Sequence, residues 1–99
     1  MAVLRSGEGE NADYVGYKGG AGNDHHAHLD NGSFVYDSQG VRWAAELGNE
    51  NYNKVEQTGL NLWSRSDDSE RWSVFRLGSS AHTGIRIDGE QLIASGRAD

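Results

Sequence analysis

The sequence predicts an all-β protein, and three features of its composition and pattern support this fold class. Fourteen glycines occur with no proline, which is typical of a chain with many turns. Three tryptophans and four tyrosines supply aromatic residues of the kind that strands favour. No stretch shows the sustained 3.6-residue apolar repeat of an amphipathic helix. The 99 residues are therefore expected to form one small domain of short strands and turns.

The composition also excludes several kinds of site and partner. With no cysteine, neither a disulfide nor a thiolate metal site can form. A net charge of -6 argues against general binding to nucleic acid or to an anionic membrane. No apolar run is long enough to span a membrane, and no signal-peptide pattern follows Met1. A hydrophobic fraction of 35% and a mean hydropathy of -0.74 predict a modest core.

The first elements expected are two short strands, residues 2–5 and 14–18, joined by a polar turn at residues 6–11. A glycine-rich segment, residues 19–32, follows them. It lacks the Gly-Lys-Ser/Thr ending of a phosphate-binding loop and does not precede a helix, which argues against nucleotide binding. Its glycines are expected to let the backbone bend tightly.

A β-hairpin is predicted next, from residues 33–37 and 41–47, because both runs are rich in β-branched and aromatic residues. With Ser38-Gln39 as a two-residue turn, Val35 is expected opposite Arg42. This register separates a polar face from an apolar face, whereas a slip by one residue mixes them. The apolar face would contain Phe34, Tyr36, Val41, Trp43, Ala45 and Leu47.

A long loop with little periodicity is predicted at residues 48–70. Loops of this length are unusual in compact domains and tend to be functional or disordered. Tyr52 and Trp63 lie in this loop. Such aromatic residues either cover the core or stack on sugar rings, and the second role makes both residues candidates for substrate binding.

Two further β elements are predicted towards the end of the chain. Residues 72–77 have the composition of a strand. The pair Asp88-Gly89 suits a type I′ turn, so residues 83–87 and 90–94 are expected to form a second hairpin.

A cluster of histidines indicates a metal site. Residues 25–28 contain three imidazoles, and Asp30 follows at once. His28 follows the glycine-rich loop, Glu46 ends the first hairpin on its polar face, and His82 precedes the second hairpin. Two imidazoles and one carboxylate are a common set of zinc ligands, with a fourth position for water. On spacing alone, the alternative is that these residues are solvated and unrelated.

Several motifs occur in order along nearly the whole chain: Lys18-Gly19-Gly20, His26-Ala27-His28-Leu29-Asp30-Asn31-Gly32-Ser33-Phe34, Gly40-Val41-Arg42-Trp43-Ala44-Ala45-Glu46-Leu47-Gly48, Asn51-Tyr52, Arg71-Trp72 and Ser80-Ala81-His82-Thr83. Their combination resembles the heparinase II/III family of polysaccharide lyases. The resemblance implies that residues 1–99 are the first part of an antiparallel β-sandwich. In the family this sandwich follows a helical α/α toroid, which is absent from this sequence.

The resemblance also implies roles for individual residues. His26, the first histidine of the His-x-His motif, is expected to face the catalytic cleft between toroid and sandwich. His28, Glu46 and His82 are expected to bind a structural zinc ion. The family usually has Asp at the position of Glu46, so this sequence departs from the pattern there. His25 has no implied role.

The activity implied by the resemblance is β-elimination of glycans that contain uronic acid, of the heparin, heparan sulfate or alginate type. The family's principal catalytic groups lie in the toroid, so this chain alone is expected to be inactive. The expected partners are the acidic polysaccharide, the helical domain of the same parent chain, and a second copy that pairs through open sheet edges. The parent is expected to be periplasmic or secreted.

Two other functions fit part of the pattern. A cupin-like metal enzyme also uses His-x-His and a later His, but it places a Glu a few residues after the second histidine, where this chain has none. A non-catalytic carbohydrate-binding module is the stronger alternative, because the aromatic residues of the long loop suit sugar stacking.

Overall fold

The computed structural model describes residues 1–98, and its main element is a four-stranded antiparallel sheet. The strands are β1 (Ala2–Arg5), β2 (Tyr14–Tyr17), β3 (Gly20–Ala21), β4 (Phe34–Ser38), β5 (Val41–Ala44) and β6 (Arg97–Ala98). The main sheet has the order β1-β2-β4-β5, and β3 pairs with β6 separately. The other elements are a short helix, α1 (Tyr52–Glu56), and two 3-10 helices, Glu70–Ser73 and Ser79–Ala81. The predicted all-β class is confirmed, and the antiparallel sheet is consistent with part of a β-sandwich.

The first two strands lie where the sequence predicts them. β1 pairs with β2, and β2 also pairs with β4, which puts Val15 opposite Tyr36. Beyond β2, the Lys18 amide donates to the carbonyl of Ser33 at 2.9 Å, and the Gly32 amide donates to the carbonyl of Lys18 at 2.8 Å. These two hydrogen bonds attach the end of the glycine-rich segment to the sheet.

The first hairpin forms, but the predicted register is wrong. Arg42 pairs with Asp37 rather than Val35. The turn is Gln39-Gly40, and both residues have positive φ, 50° and 76°, as a type I′ turn requires. Glycine meets this requirement at the second turn position with little cost. An ion pair between Arg42 and Asp37, 2.6 Å long, favours this register, and a bulge beside Asp37 then shifts the pairing along β5.

The strand predicted at residues 72–77 is wrong, because a 3-10 helix, Glu70–Ser73, and a turn occupy this region. Ser69 caps the helix by accepting a hydrogen bond from the amide of Arg71 at 3.1 Å. The buried indole of Trp72 donates to a nearby backbone carbonyl at 2.8 Å. Trp72 and Leu77 therefore pack into the core from a 3-10 helix and a turn rather than from a strand, while Phe75 is exposed.

The second hairpin forms only at its turn. Asp88 and Gly89 have positive φ, 53° and 76°. The amide of Glu90 donates to the carbonyl of Ile87 at 2.9 Å. Within the described residues no strand flanks this turn, so the predicted pairing is wrong. Ile85 and Ile87 are 79% and 76% exposed, so they supply little apolar packing, and an isolated hairpin is marginal in water.

The long loop predicted at residues 48–70 contains the short helix α1. Asn51 caps this helix, because its side-chain oxygen accepts a hydrogen bond from the Lys54 amide at 3.1 Å. The helix presents Tyr52 to Trp63, with 5.6 Å between the ring centroids. Neither α1 nor any other described helix is long and apolar enough to cross a membrane.

The core lies among the irregular segments and not in the main sheet. Its buried apolar residues are Leu29, Leu62, Trp72, Leu77 and Ala94. Gly22 approaches this core so closely that an added Cβ would lie 3.0 Å from the Leu29 side chain and 3.3 Å from the Ala94 backbone. Several large apolar side chains of the main sheet are exposed instead, namely Val3, Leu4, Phe34, Val41 and Trp43.

Candidate functional site

Two histidines from distant segments meet in a buried position. His28 is 8% exposed, and its neighbour Leu29 fixes the local backbone by donating its amide to the carbonyl of Leu77 at 2.8 Å. His82 directly follows the second 3-10 helix, and its side chain is buried. The two imidazole centroids lie 5.4 Å apart. One ring nitrogen of each histidine and one carboxylate oxygen of Asp30 all lie within 4.8 Å of one another.

Glu46 contacts this group through His82. One of its carboxylate oxygens, Oε2, accepts a hydrogen bond from Nδ1 of His82. The other, Oε1, accepts from the amide and the hydroxyl of Thr83, each at 2.8 Å. The same hydroxyl also contacts the backbone carbonyl of Phe34 and accepts from the Phe34 amide at 2.9 Å. Glu46 is therefore fixed by the segment that carries His82.

The free nitrogen of His82 suits a metal ligand. When Nδ1 carries the proton that Glu46 accepts, Nε2 of the neutral ring has a free lone pair. Nε2 is buried and has no hydrogen-bond partner among residues 1–98. A carboxylate that orients a histidine in this way is the usual outer partner of a histidine bound to metal. The residues present therefore fit a divalent metal such as zinc.

The charge states of the site also suit metal binding. Burial lowers the pKa of His28 below its usual value, although the Asp30 carboxylate partly opposes this shift. Burial alone would raise the pKa of Glu46, but hydrogen bonds from His82 and Thr83 outweigh it and hold that pKa below its usual value. At neutral pH His28 is uncharged and Glu46 is ionised, which are the forms that bind metals.

Asp30 is a member of the site that the sequence analysis noted beside the histidines but did not include among the expected ligands. Both of its carboxylate oxygens accept hydrogen bonds from the ammonium group of Lys18, at 2.6 and 2.8 Å. The main sheet positions Lys18 for this contact at the end of β2. The sequence signal for Asp30 is its spacing two residues after His28, which keeps both side chains on one short segment.

His26 belongs to an adjoining aromatic cluster. Its ring stacks parallel to Tyr52 at 6.3 Å and meets Trp63 edge to face at 5.8 Å. The backbone of His26 has a positive φ of 59°, which few residues other than glycine adopt and which is worth attention near a site. The cluster thus brings together three residues that the sequence identifies as candidates for catalysis or substrate binding.

Arg71 lies beneath this cluster and belongs to one of the motifs that carry the resemblance. It is 2% exposed, and its guanidinium donates to the carbonyls of Ala27 at 2.8 Å and Leu62 at 3.0 Å. It also donates to the hydroxyl of Tyr52 at 3.0 Å. These bonds connect the His26–His28 segment with α1 and with the loop before Trp63.

An open cavity of about 340 Å³ joins the candidate residues. His26, His28, Glu46 and His82 all line it, together with Lys18, Asp30 and residues of β2 and β4. Tyr52 and Trp63 adjoin it through their contacts with His26. The structure therefore brings the residues that the sequence singled out into one region, beside strands β2 and β4.

The comparison with known families agrees with this arrangement. No curated protein sequence matches the chain. A family model described as heparinase II/III-like, C-terminal, matches residues 1–99. The motifs that carry the resemblance are those that contribute His26, His28, Glu46 and His82 to the cavity. The match covers the whole chain, and the chain therefore belongs to the heparinase II/III-like C-terminal family.

Proposed function

We propose that this chain forms one wall of the catalytic cleft of a polysaccharide lyase that cleaves uronic-acid glycans, of the heparin, heparan sulfate or alginate type, by β-elimination. The observation that carries the proposal is the position of His26. It stacks on Tyr52 and lines the same cavity as His28 and His82. A group able to transfer a proton, an aromatic platform for sugar and a candidate metal centre therefore adjoin one another.

β-Elimination removes the proton on the carbon next to the uronate carboxyl group. A carbon–carbon double bond forms, the bond to the glycosidic oxygen breaks, and that oxygen takes up a proton. Negative charge builds up on the carboxyl group, so a donor aimed at it lowers the barrier. We assign this donor role to His26, which is exposed and lines the cavity. The other acid–base groups are assigned to the helical domain of the parent enzyme.

The metal part of the proposal assigns zinc to His28, Glu46 and His82. Asp30 is the competing carboxylate, because one of its oxygens lies within 4.8 Å of a ring nitrogen of each histidine, whereas both oxygens of Glu46 accept from His82 and Thr83. We assign the carboxylate ligand to Glu46 from its place in the family motif, and Glu46 would have to turn from His82 to bind the ion. A bound zinc ion would supply a structural cross-link between the glycine-rich segment, the end of β5 and the segment after the second 3-10 helix. Such a link would hold the wall that carries His26.

The test uses a complete lyase that contains this domain and follows the ultraviolet absorbance of the unsaturated uronate product. His26→Ala is expected to lower turnover by about 10²-fold or more, because a positioned proton donor is lost. Its zinc content should equal that of the wild type, since His26 is not a ligand. Arg86→Gln, at an exposed position that lines neither this cavity nor the pocket beside Arg71, gives the control and should retain nearly full turnover. Equal turnover of His26→Ala and wild type would overturn the assignment.

A second candidate function is a non-catalytic carbohydrate-binding module. The observation that favours it is the exposure of Trp63, 54%, beside the ring of Tyr52. A module would bind sugar but leave turnover of an attached enzyme unchanged when His26 is replaced, so the same variant separates the two functions. For either function we propose a periplasmic or secreted parent, since large acidic polysaccharides lie outside the cytoplasm.

A further inference from the structure

Arg71 is a buried cation without an ionic partner. Among residues 1–98 its guanidinium takes part in no salt bridge. Its hydrogen bonds go to neutral oxygens, two backbone carbonyls and the hydroxyl of Tyr52. The rings of Tyr52 and Trp72 each lie with their centroids 5.4 Å from its central carbon. A full positive charge is therefore held in the interior by dipoles and π faces alone.

Such a charge is costly to bury and is normally paired with an anion. Carbonyl dipoles and cation–π contacts offset part of this cost, but they leave the net charge in place.

A pocket of about 220 Å³ opens beside Arg71. It is lined by His25, His26, Leu62, Trp63, Arg65 and Arg71, none of which is acidic. Arg65 is exposed and is anchored by a hydrogen bond from its Nη1 to the carbonyl of Asn23 at 3.0 Å. The pocket thus combines a buried guanidinium, an exposed guanidinium and the indole of Trp63.

We propose that this pocket is an anion subsite, which takes the carboxylate or sulfate group of an acidic sugar whose ring packs against Trp63. The positive charges of Arg71 and Arg65 both border the pocket, and an anion placed between them would be attracted to both. Arg71 would act mainly through its charge, because its Nη1 and Nη2 groups already donate to Leu62, Ala27 and Tyr52. The anion supplies the ionic partner that Arg71 lacks in the described chain. The inference rests on the proposed function for the identity of the sugar, but not for the affinity of the pocket for an anion.

The experiment titrates the isotope-labelled chain with small ligands and follows the indole signal of Trp63 and the side-chain signal of Arg71 by NMR. The ligands are glucuronate, glucose 6-sulfate and glucose, at constant ionic strength. Either anionic sugar is expected to shift both signals with a dissociation constant in about the millimolar range, while glucose leaves them unchanged. The tighter of the two anionic ligands identifies carboxylate or sulfate as the group recognised.

Two variants test which residues make the subsite. Arg71→Lys keeps the charge but loses the hydrogen bonds to Ala27, Leu62 and Tyr52 that hold it beside the pocket, and is expected to weaken binding about tenfold. Arg65→Gln removes an exposed charge and is expected to weaken binding about threefold. Arg86→Gln, an exposed arginine outside the pocket, is the control and should bind as the wild type. If the NMR spectrum of Arg71→Lys shows that this variant is unfolded, the affinity of Arg65→Gln for the anionic sugars decides whether the pocket is the anion subsite.

Three results would overturn the subsite. They are equal shifts with glucose and the anionic sugars, no shift with either anion, or unchanged binding in both pocket variants. Failure of the lyase proposal is a separate outcome. A complete enzyme in which His26→Ala has full turnover, with anion binding intact in this chain, would remove the lyase assignment and leave the subsite standing.

Discussion

The main sheet and the irregular segments differ in how far their large apolar side chains are buried. The sheet β1-β2-β4-β5 is regular, yet it exposes large side chains such as Leu4 and Trp43, each 69% exposed. The irregular segments after β5 supply most of the buried residues, including Leu62 and Leu77, both fully buried. Regular secondary structure and burial are therefore separate properties in this chain.

The two regions are also held together by different interactions. Backbone hydrogen bonds between strands fix the sheet. In the irregular region, hydrogen bonds from side chains take the place of those between strands. Arg71 connects three segments. Asp67 accepts hydrogen bonds from the amide and the hydroxyl of Ser95, each at 2.7 Å. A buried group such as Arg71 is costly to leave unpaired, so single substitutions should destabilise the irregular region more than the sheet.

The largest expected effect on stability comes from truncating a buried side chain in the irregular region. Leu62→Ala should lower the free energy of unfolding by about 2 to 5 kcal/mol, because it removes a fully buried side chain and leaves a cavity. Leu4→Ala, in the sheet, should cost less than about 0.5 kcal/mol because that side chain is exposed. Denaturant titration measures both. Equal losses would show that the sheet, too, is covered and contributes to the core.

The next effect concerns metal in the irregular region. The chain purified without chelator is expected to hold about one zinc ion, and His28→Ala and His82→Ala should each abolish tight binding. Free zinc at about 100 times its dissociation constant should raise the free energy of unfolding by about 2.7 kcal/mol. Metal analysis and thermal unfolding measure these quantities. Comparing Glu46→Gln with Asp30→Asn identifies the carboxylate, and equal zinc in wild type and both histidine variants would remove the assignment.

A smaller effect is expected when the pH of the metal-free chain is changed. Because burial lowers the pKa of His28 from its usual 6.5, the unfolded chain takes up a proton on this residue before the folded chain does. The contribution of neutral His28 to the free energy of unfolding is complete above pH 6.5. It is lost as the pH falls from 6.5 towards the pKa of His28 in the folded chain. One proton corresponds to at most about 1.4 kcal/mol per pH unit.

Unfolding curves between pH 7.5 and 5.5 test this dependence. His28→Gln should flatten the slope, whereas His25→Gln, at an exposed position, should leave it unchanged. An unaltered slope in His28→Gln would place the pH dependence elsewhere. Glu46 acts in the same direction at lower pH, since its lowered pKa adds stability that is lost below its usual 4.5.

The smallest expected effect is self-association through the sheet. β1 and β5 are its edges, and both carry exposed apolar side chains, so weak pairing between copies is expected at high concentration. Sedimentation should show a dimer that Leu4→Lys reduces, with Ile93→Lys, an exposed apolar position outside the sheet, as the matched control. A strictly monomeric wild type would show that the exposed sheet does not associate.

The sequence was informative where the pattern is local. Short runs of alternating or β-branched residues between turn signals predict β1, β2 and β4 closely. The register of the β4–β5 hairpin failed because Ser38-Gln39 and Gln39-Gly40 are both plausible turns, and only the φ requirement of glycine and the Asp37–Arg42 ion pair separate them. The strand prediction for residues 72–77 failed because an apolar run has the same composition in a strand and in a buried turn.

The site was predictable only in part. Motif resemblance identified His28, Glu46 and His82, and the structure puts Glu46 beside His82 and His82 beside His28. Arg71 and Asp30 gained their roles from contacts over long stretches of chain, Arg71 with Ala27 and Asp30 with Lys18. Such contacts depend on how turns pack, which no local period encodes.

The hydroxyl of Thr83 links the candidate metal centre to the sheet through its hydrogen bonds. It lies between a carboxylate oxygen of Glu46 and the backbone carbonyl of Phe34, and it has one proton for these two acceptors. When Glu46 turns towards a cation, that proton is free to rotate to Phe34 at the start of β4. Rotation of this hydroxyl would then couple ion binding at Glu46 to the hydrogen bonding of the Phe34 carbonyl. A Thr83→Val chain would bind the same ion without this coupling.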